Sequence, residues 1–583
     1  MATQRSKVRA FSQGLQTSIN RHSLKMSDWI IENFKHPRND RIPWGFKDHE
    51  FQIAILDEKS HDMCVTKAAQ VGLSTISINY SLAFCAMNDY RKLAYVLPTA
   101  KFSSEFSSTR FDPAIESSPY IRSIVSKDVD NTGVKKIGTS FLVMRGTSGT
   151  TSAISVDLDG IIVDEHCFCN QDVLGSFASR LQHSDLKITR DFSTPTVPDY
   201  GISALYDISS QGRYMVRHSK CGQLVAPDFY NDVVIPGFGS PLTEYRKEDR
   251  FHPGVANAHI VCPVCQAEIK WADFVDPARR AWVHKHPDRV KKGYQVMPWD
   301  VPKYNELQDV LFSIQKYKLH SDWVNFRLGL DHASSENSFL KEVILRNTSS
   351  KGNTLESVVG NGYRRVYIGA DLGKTSWIVI GVGTGAGLRI VCAESVQVAN
   401  LPDQNLGKYL VMLMRQLAGV RSIVDAAPNY ETALYMTANL YEKQAYGAYY
   451  GGSKTSMLDI YSFNDKEGIA TLDRDASFDA LAKAVNSGAV TFCEPTEFIK
   501  DKDGSAESVM VKHLCAMKKV KVMTNKGKVA SWTNTGPDHL GHALNYCYTA
   551  YASVNERFEI DISVGVGMGK VKLKQLEEHD AMV

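Results

Sequence analysis

From about residue 48 to 196, short apolar runs alternate with longer stretches of helical spacing: MCVTKAAQ, RKLAYVLPT, TSFLVMRG, DGIIVDE and LKITRDFSTP. Runs rich in Val, Ile and Leu that end in small or charged residues predict strands of a parallel sheet joined by crossover helices, an α/β pattern. Between about 213 and 275 the pattern changes to Cys, His, Gly and Pro, with apolar blocks too short for crossover helices, and this predicts a strand-rich insertion. Residues 300–360 are polar, and NTSSKGNT at 347–354 has the composition of a linker. After it, RRVYIGADLGKTSWIVIGVGTGAGLRIVCAESVQV reads as three strands in hairpin succession with Gly-rich turns at 381–387. A helix near 405–418, the strand RSIVDAA and a terminal helix, DHLGHALNYCYTAYA, complete a second domain. The expected layout is an N-terminal segment at 1–45, an α/β domain at 46–212, the insertion at 213–275 and the rest of the first domain with the linker at 276–355. The second domain follows at 356–560 and a charged mobile tail at 561–583.

Composition narrows the class. A chain of 583 residues holds roughly two to four domains of about 150 residues each. With 43% hydrophobic and 22% charged residues it excludes a disordered or collagen-like chain. Lys plus Arg number 67 against 64 Asp plus Glu, so any nucleic-acid binding has to come from local grooves. The basic start lacks the apolar run of a secretory signal, and no stretch of about 18 apolar residues occurs, which predicts a soluble, cytosolic protein. Eleven cysteines, an odd number thinly spread, predict reduced thiols with a few in a metal site.

The window Lys67-Ala68-Ala69-Gln70-Val71-Gly72-Leu73-Ser74-Thr75 is close to a P-loop. In such loops backbone amides cradle phosphates, a Lys neutralises the outer oxygens and a hydroxyl ligates magnesium. The second Gly and the Ser are in place, but Leu73 stands where the Lys usually is and Lys67 where the first Gly is. A loop wrapping an anion presents a cation from either end, so Lys67 is the candidate cation and Leu73→Lys is expected to restore part of what Lys67→Ala removes. An ordinary strand–loop–helix turn gives the same window. GIIVDEH ends an apolar strand in Asp164-Glu165, the pattern in which the Asp holds magnesium and the Glu orients the attacking water. Ser193-Thr194 close the strand LKITRDF, where a sensor of the γ-phosphate belongs, and Gln52 precedes the loop, where an adenine-reading glutamine sits.

These motifs, with PTAKFSSEFSSTRFDPAIESSP, the RGTS segment and STP, resemble the large terminase subunits of tailed bacteriophages, in particular the lambda-type branch with its deviant P-loop beginning in Lys. The resemblance covers roughly 40–200 and 360–550. It implies a P-loop ATPase of the RecA/ASCE type with a zinc-binding insertion, followed by an RNase H-like nuclease. It also implies ATP binding by Gln52, Lys67, Gly72 and Ser74, magnesium at Asp164 and catalysis by Glu165. An arginine finger is expected, with Arg110, Arg145 and Arg180 as candidates.

Two-metal phosphodiester hydrolysis needs carboxylates converging from separate elements. Asp371 ends the first strand of the second domain, Asp425 ends a later strand and Asp538 opens the terminal helix; these are the expected Mg²⁺ or Mn²⁺ ligands. A strand-end turn explains Asp425, and a helix N-cap explains Asp538, without any metal. His539 and His542 touch DNA or metal, or merely share one helix face. In the insertion, His218-x-x-Cys221 and Cys262-x-x-Cys265 have the gap that lets paired ligands reach one tetrahedral Zn²⁺. His252 and His259 are alternatives to His218. Cys64, Cys85, Cys167, Cys169, Cys392, Cys493, Cys515 and Cys547 read as buried apolar residues.

The function expected from the resemblance is an ATP-driven motor that packs double-stranded DNA into a procapsid and cuts concatemers into genome units in the host cell cytoplasm. Its implied partners are DNA, a small terminase subunit, a portal ring and further copies of the motor. The basic segment VKHLCAMKKVKVMTNKGK at 511–528 contacts the phosphate backbone or forms a solvated strand pair. A helicase-nuclease of DNA repair and a non-catalytic DNA-binding scaffold are the alternatives.

Overall fold

The computed structural model describes residues 25–555, apart from 38, 150–156, 428–429, 452–459, 501–505 and 525–526. The expected tail at 561–583 lies outside the described residues. The chain divides into two compact units, one of residues 1–340 with 515–537, the other of 341–514 with 538–583.

In the first unit the apolar runs form β1 (Asp62–Lys67), β2 (Lys92–Leu97), β3 (Ser140–Gly146), β4 (Gly160–Asp164) and β5 (Ile188–Ser193). They are joined by β6 (Gly212–Arg217) and β7 (Lys292–Val296). The sheet order β6-β7-β1-β5-β4-β2-β3 is parallel throughout. Both faces of β1, β2 and β4 are buried, which is why these strands read as continuous apolar runs and not as alternation. The chain runs from β1 to β2 across two intervening strands, so a crevice opens at the carboxyl ends where strand order reverses, and Lys67, Asp164 and Ser193 all sit there. Helix α1 (Leu73–Met87) leaves that crevice and is buried around most of its circumference, so its sequence LSTISINYSLAFCAM shows no polar face.

The 213–275 segment packs with residues of 297–328 into one core, which includes Phe229, Tyr245, Ile260 and Trp323. It is not strand-rich: inside it the strands after β6 are two residues long and are separated by irregular backbone and short 3₁₀ turns. Repeated Pro and Gly stop each ladder after one or two pairs.

The second unit begins with β8 (Val366–Asp371), β9 (Thr375–Gly383) and β10 (Leu388–Gln397), paired antiparallel in succession. Helix α2 (Leu406–Gln416) leads to β11 (Arg421–Asp425), which pairs parallel with β8, and β12 (Ala445–Tyr450) extends the sheet. The resulting order is β10-β9-β8-β11-β12, three antiparallel strands extended by two parallel ones. The expected linker at 347–354 is corrected. Thr348–Ser350 is a strand pairing parallel with Val490–Cys493, and Asn353 donates its N–H to Val391 O at 3.0 Å. Pairing along the edge of a sheet overrides the polar composition of the segment.

The basic 511–528 segment contributes to a strand pair, as one of its two readings expected, with one strand mostly exposed. It ends a short helix and enters the hairpin β13 (Met517–Thr524) and β14 (Gly527–Asn534), which folds as part of the first unit with Met517, Val520 and Trp532 buried. Helix α3 (His539–Asn555) follows in the second unit and packs on β8.

Candidate functional sites

At the end of β1, Lys67 is 5% exposed, and its Nζ lies 3.5 Å from Glu165 Oε1 at the end of β4. Burial works to lower the Lys67 pKa, but the Glu165 and Asp164 carboxylates outweigh it and hold the ammonium above the usual lysine value. Two loop amides are already engaged, Ala68 N–H with Val296 O at 3.1 Å and Ala69 N–H with Phe326 O at 2.7 Å. Gln70 (φ 62) and Gly72 (φ 80) are left-handed, the kind of turn that points successive amides into one concavity. At Gly72 a Cβ would come within 2.8 Å of Gln52 Nε2, so any side chain there would displace the glutamine. Gln52 in turn donates to Val71 O at 3.2 Å. Lys67, Gln70, Gly72, Ser74, Arg110 and Glu165 line a cavity of about 580 Å³. A second cavity of about 800 Å³ shares Gly72, Thr75 and Arg110 and runs on past Gln52, His49 and Tyr304.

Leu73, by contrast, is 1% exposed and packs in the main core. It too lines the cavity, but from this buried position a lysine would be a cation among apolar neighbours, which argues against the expected rescue by Leu73→Lys.

Asp164 is buried and accepts a hydrogen bond from Tyr95 Oη at 2.9 Å, and the same hydroxyl meets Ser77 Oγ of α1 at 2.8 Å. Burial first, then the charge of Asp164, raises the Tyr95 pKa well above its usual value, so the phenol stays protonated. Sequence reading missed Tyr95, because an aromatic inside an apolar strand looks like any core residue. Glu165 adopts the left-handed region (φ 59, ψ 44), uncommon for a non-glycine residue. Burial and Asp164 raise its pKa while Lys67 opposes them. The next residue, His166, is pinned by Asp191 of β5 (Nδ1 to Oδ1, 2.9 Å) and by Gln171 (Nε2 to Oε1, 3.2 Å). Ser193 Oγ accepts from Cys167 N–H at 3.1 Å, tying the end of β5 to the turn after Glu165, and the buried Thr194 hydroxyl has no partner.

Of the three candidate arginines, Arg110 alone lines the cavity. It sits on a π-helical turn, Ser107–Phe111, with Nη2 3.5 Å from Thr75 Oγ1. Arg145 bonds its own neighbour's carbonyl, Met144 O, at 2.9 Å, and Arg180 lies on a 3₁₀ turn beside Leu158.

In the second unit Asp371, Asp425 and Asp538 come from β8, β11 and the residue before α3. Burial raises the pKa of Asp371, against the opposing His539, and of Asp425. At Asp538 burial is outweighed by the His542 hydrogen bond and the nearby histidines, which hold it low. His539 Nδ1 is 2.7 Å from Asp371 Oδ2, and His542 Nε2 is 3.1 Å from Asp538 Oδ2 while its Nδ1 meets Tyr450 Oη at 2.9 Å. Both histidines thus face the acids and not merely a shared helix surface. Carboxylates gathered at this burial make a donor set suited to divalent cations.

In the insertion His218, Cys221, Cys262 and Cys265 have donor atoms all within 4.8 Å of one another, the one such set among the described residues. His218 Nδ1 faces Cys221 Sγ (3.3 Å) and Cys265 Sγ (3.4 Å), and its Nε2 is 3.1 Å from Glu268 O, the partner that fixes a ligand tautomer. The alternatives lie elsewhere: His252 caps Gly254 and His259 bonds Asn257 O. Of the remaining cysteines, Cys493 and Cys515 are half-buried and the others buried.

The first unit thus presents a crevice with a left-handed loop and an Asp-Glu strand end, suited to a nucleotide, and the second a sheet on which three carboxylates come together. Residues 47–281 match the family described as phage terminase large subunit gpA, ATPase domain. No curated protein sequence matches it. Among solved structures it is similar to the large terminase of bacteriophage HK97, at 11% identity and TM-score 0.47, covering 90% of this chain and 99% of that one. The large terminase of a thermophilic bacteriophage in complex with ADP is similar at 10% identity and TM-score 0.27, over 84% and 94%. The human cytomegalovirus terminase nuclease domain, soaked with Mn, is similar at 8% identity and TM-score 0.21, over 38% and 97%. No helix among the described residues is long and apolar enough to cross a membrane.

Proposed function

We propose that this chain is a large terminase subunit, which drives double-stranded DNA into a procapsid by hydrolysing ATP at the crevice between Lys67 and Glu165 and cuts the packaged DNA at the Asp371 cluster. The observation that carries the motor reading is the Lys67–Glu165 pair facing across the cavity whose wall is the left-handed turn of Gln70 and Gly72. Lys67 exchanges its carboxylate partner for the outer phosphates, and the loop amides from Gln70 onward take the remaining oxygens. Glu165, released from Lys67, orients the attacking water, and Ser74 with Asp164, held by Tyr95, is suited to magnesium. Arg110 is the cation best placed to meet charge developing on the phosphates. Gln52 and the larger cavity beside it suit the adenosine.

At the second site Asp371, Asp425 and Asp538 would hold Mg²⁺ or Mn²⁺, which supplies Lewis-acid stabilisation of the phosphodiester. His539 and His542 orient two of the three carboxylates. Zinc at His218, Cys221, Cys262 and Cys265 would close a four-donor structural site with no position open for chemistry. A small terminase subunit, a portal ring, further copies of the chain and the host cytoplasm are the partners and place that this reading requires. The test pairs two assays on the full chain. Wild type should protect DNA from nuclease in the presence of portal-bearing procapsids only when ATP is supplied, and should linearise plasmid in Mg²⁺ or Mn²⁺. Asp371→Ala should lose linearisation and keep ATP hydrolysis; cleavage at the wild-type rate by that variant refutes the nuclease assignment.

A further inference from the structure

The hairpin β13–β14 lies in sequence between Asp425 and Asp538, yet it folds with the first unit, and what it touches there is the hydrolysis machinery. Phe168 ends the short turn that begins after Glu165. Its ring is stacked on Phe326, with centroids 6.1 Å apart and planes 8° from parallel. Phe326 belongs to a π-helical turn, Trp323–Leu328, and its carbonyl accepts the Ala69 N–H of the P-loop at 2.7 Å. At Gly329, which closes that turn with φ +70, a Cβ would sit 2.5 Å from Ala68 N, so the turn is pressed directly against the loop. The stacked pair therefore connects the segment that binds phosphate with the segment that aims Glu165.

One cation lies over both rings: Lys528 of β14, its ammonium 5.1 Å from the Phe168 centroid and 5.5 Å from that of Phe326. The hairpin is fixed around it at several points. Lys521 pairs with Asp322, the residue before the Phe326 turn, at 2.6 Å. Lys519 N–H donates to Asn337 O at 2.8 Å. Val520 packs with Val197 and Tyr200 just beyond Ser193-Thr194, and Met523 packs with Cys167, Phe168 and Ile202. Trp532 is buried against Phe339, at 5.4 Å between centroids. These contacts bear on a residue that needs support, since Glu165 sits in the left-handed region, which is strained for a non-glycine residue unless its surroundings hold it there.

We propose that the 517–534 hairpin is a working part of the ATPase and that Lys528 is a positioning residue for Glu165, acting through Phe168 and its stack on Phe326. The proposal rests on the reading of Glu165 as the group that orients water. Lys528 is exposed and makes no contact with the cavity, so its loss should leave nucleotide binding and folding alone and should lower turnover. In the full-length chain, Lys528→Ala is expected to reduce kcat for ATP hydrolysis about fivefold with KM within about twofold, as an exposed cation–π contact acting on one catalytic group would. Lys528→Arg, which keeps a cation over the rings, is expected to recover most of kcat, and Tm should be unchanged in both variants. A kcat for Lys528→Ala within about twofold of wild type, or equal loss in the Ala and Arg variants, overturns the proposal. Glu165→Gln and Lys67→Ala in the same assay separate the two levels. If they abolish hydrolysis while Lys528→Ala does not lower it, the hairpin has no role; if they too hydrolyse ATP normally, the ATP site itself is misassigned.

Discussion

The ion pair between Lys67 and Glu165 makes two separable demands, one on folding and one on chemistry, and a three-variant experiment tells them apart. Lys67→Ala leaves Glu165 beside Asp164 with no cation. Removing one partner of a buried pair costs about 3–5 kcal/mol. Here the Lys67 side chain is 6% exposed but that of Glu165 is 29% exposed, and water reaching the carboxylate screens part of that cost, so about 2 kcal/mol is expected. For a unit of this size that is a fall of about 4 °C in Tm. Hydrolysis should fall by about a thousandfold or more, because the cation facing the outer phosphates is gone. Glu165→Gln should keep ATP bound and unhydrolysed, seen as nucleotide binding in calorimetry without phosphate release. The double variant Lys67→Ala/Glu165→Gln removes the stranded charge and should recover most of the Tm but none of the turnover. Adding Leu73→Lys to Lys67→Ala should lower Tm further and restore no activity, since position 73 is buried in the core. Phosphate release by Lys67→Ala at near the wild-type rate would refute the site, and recovery of activity by Leu73→Lys would refute the account of that side chain as a core residue.

Two further outcomes follow from the geometry. Tyr95→Phe removes the hydroxyl that holds Asp164, a hydrogen bond to a charged group worth about 1.5–3 kcal/mol. The Mg²⁺ concentration for half-maximal ATPase should then rise about tenfold, and a Mg²⁺ titration superimposable on wild type would show that Tyr95 does not position Asp164. Cys262→Ser should lose the roughly one zinc per chain that elemental analysis is expected to find in the wild type, and should expose the insertion to limited proteolysis, because zinc binding there is also folding free energy. Wild-type protein purified without chelator and holding no zinc would rule the site out.

The periodic features of this chain were legible without its fold. Strands buried on both faces must be written as unbroken apolar runs, so β1, β2, β4 and β5 and the small or charged residues at their ends stand out in the text of the sequence. The two ligand pairs of the insertion are legible for a similar reason: a tetrahedral ion requires two donors on one tight turn, and that spacing survives in the linear chain. Fold decided what depends on partners distant in sequence. Tyr95 and Ser77 look like ordinary core positions until α1, β2 and β4 are laid side by side, and only then do they form a chain of hydroxyls ending on Asp164. Leu73 and Lys67 are equivalent ends of a loop on paper; the helix that starts at Leu73 turns one into the core, while the strand that ends at Lys67 delivers the other to Glu165. The polar stretch at 347–354 reads as a linker because composition is blind to a free sheet edge. The basic run at 511–528 can be read as a strand pair, but nothing in it shows that Phe168 and Phe326, about 360 and 200 residues away in sequence, form the surface on which Lys528 comes to rest.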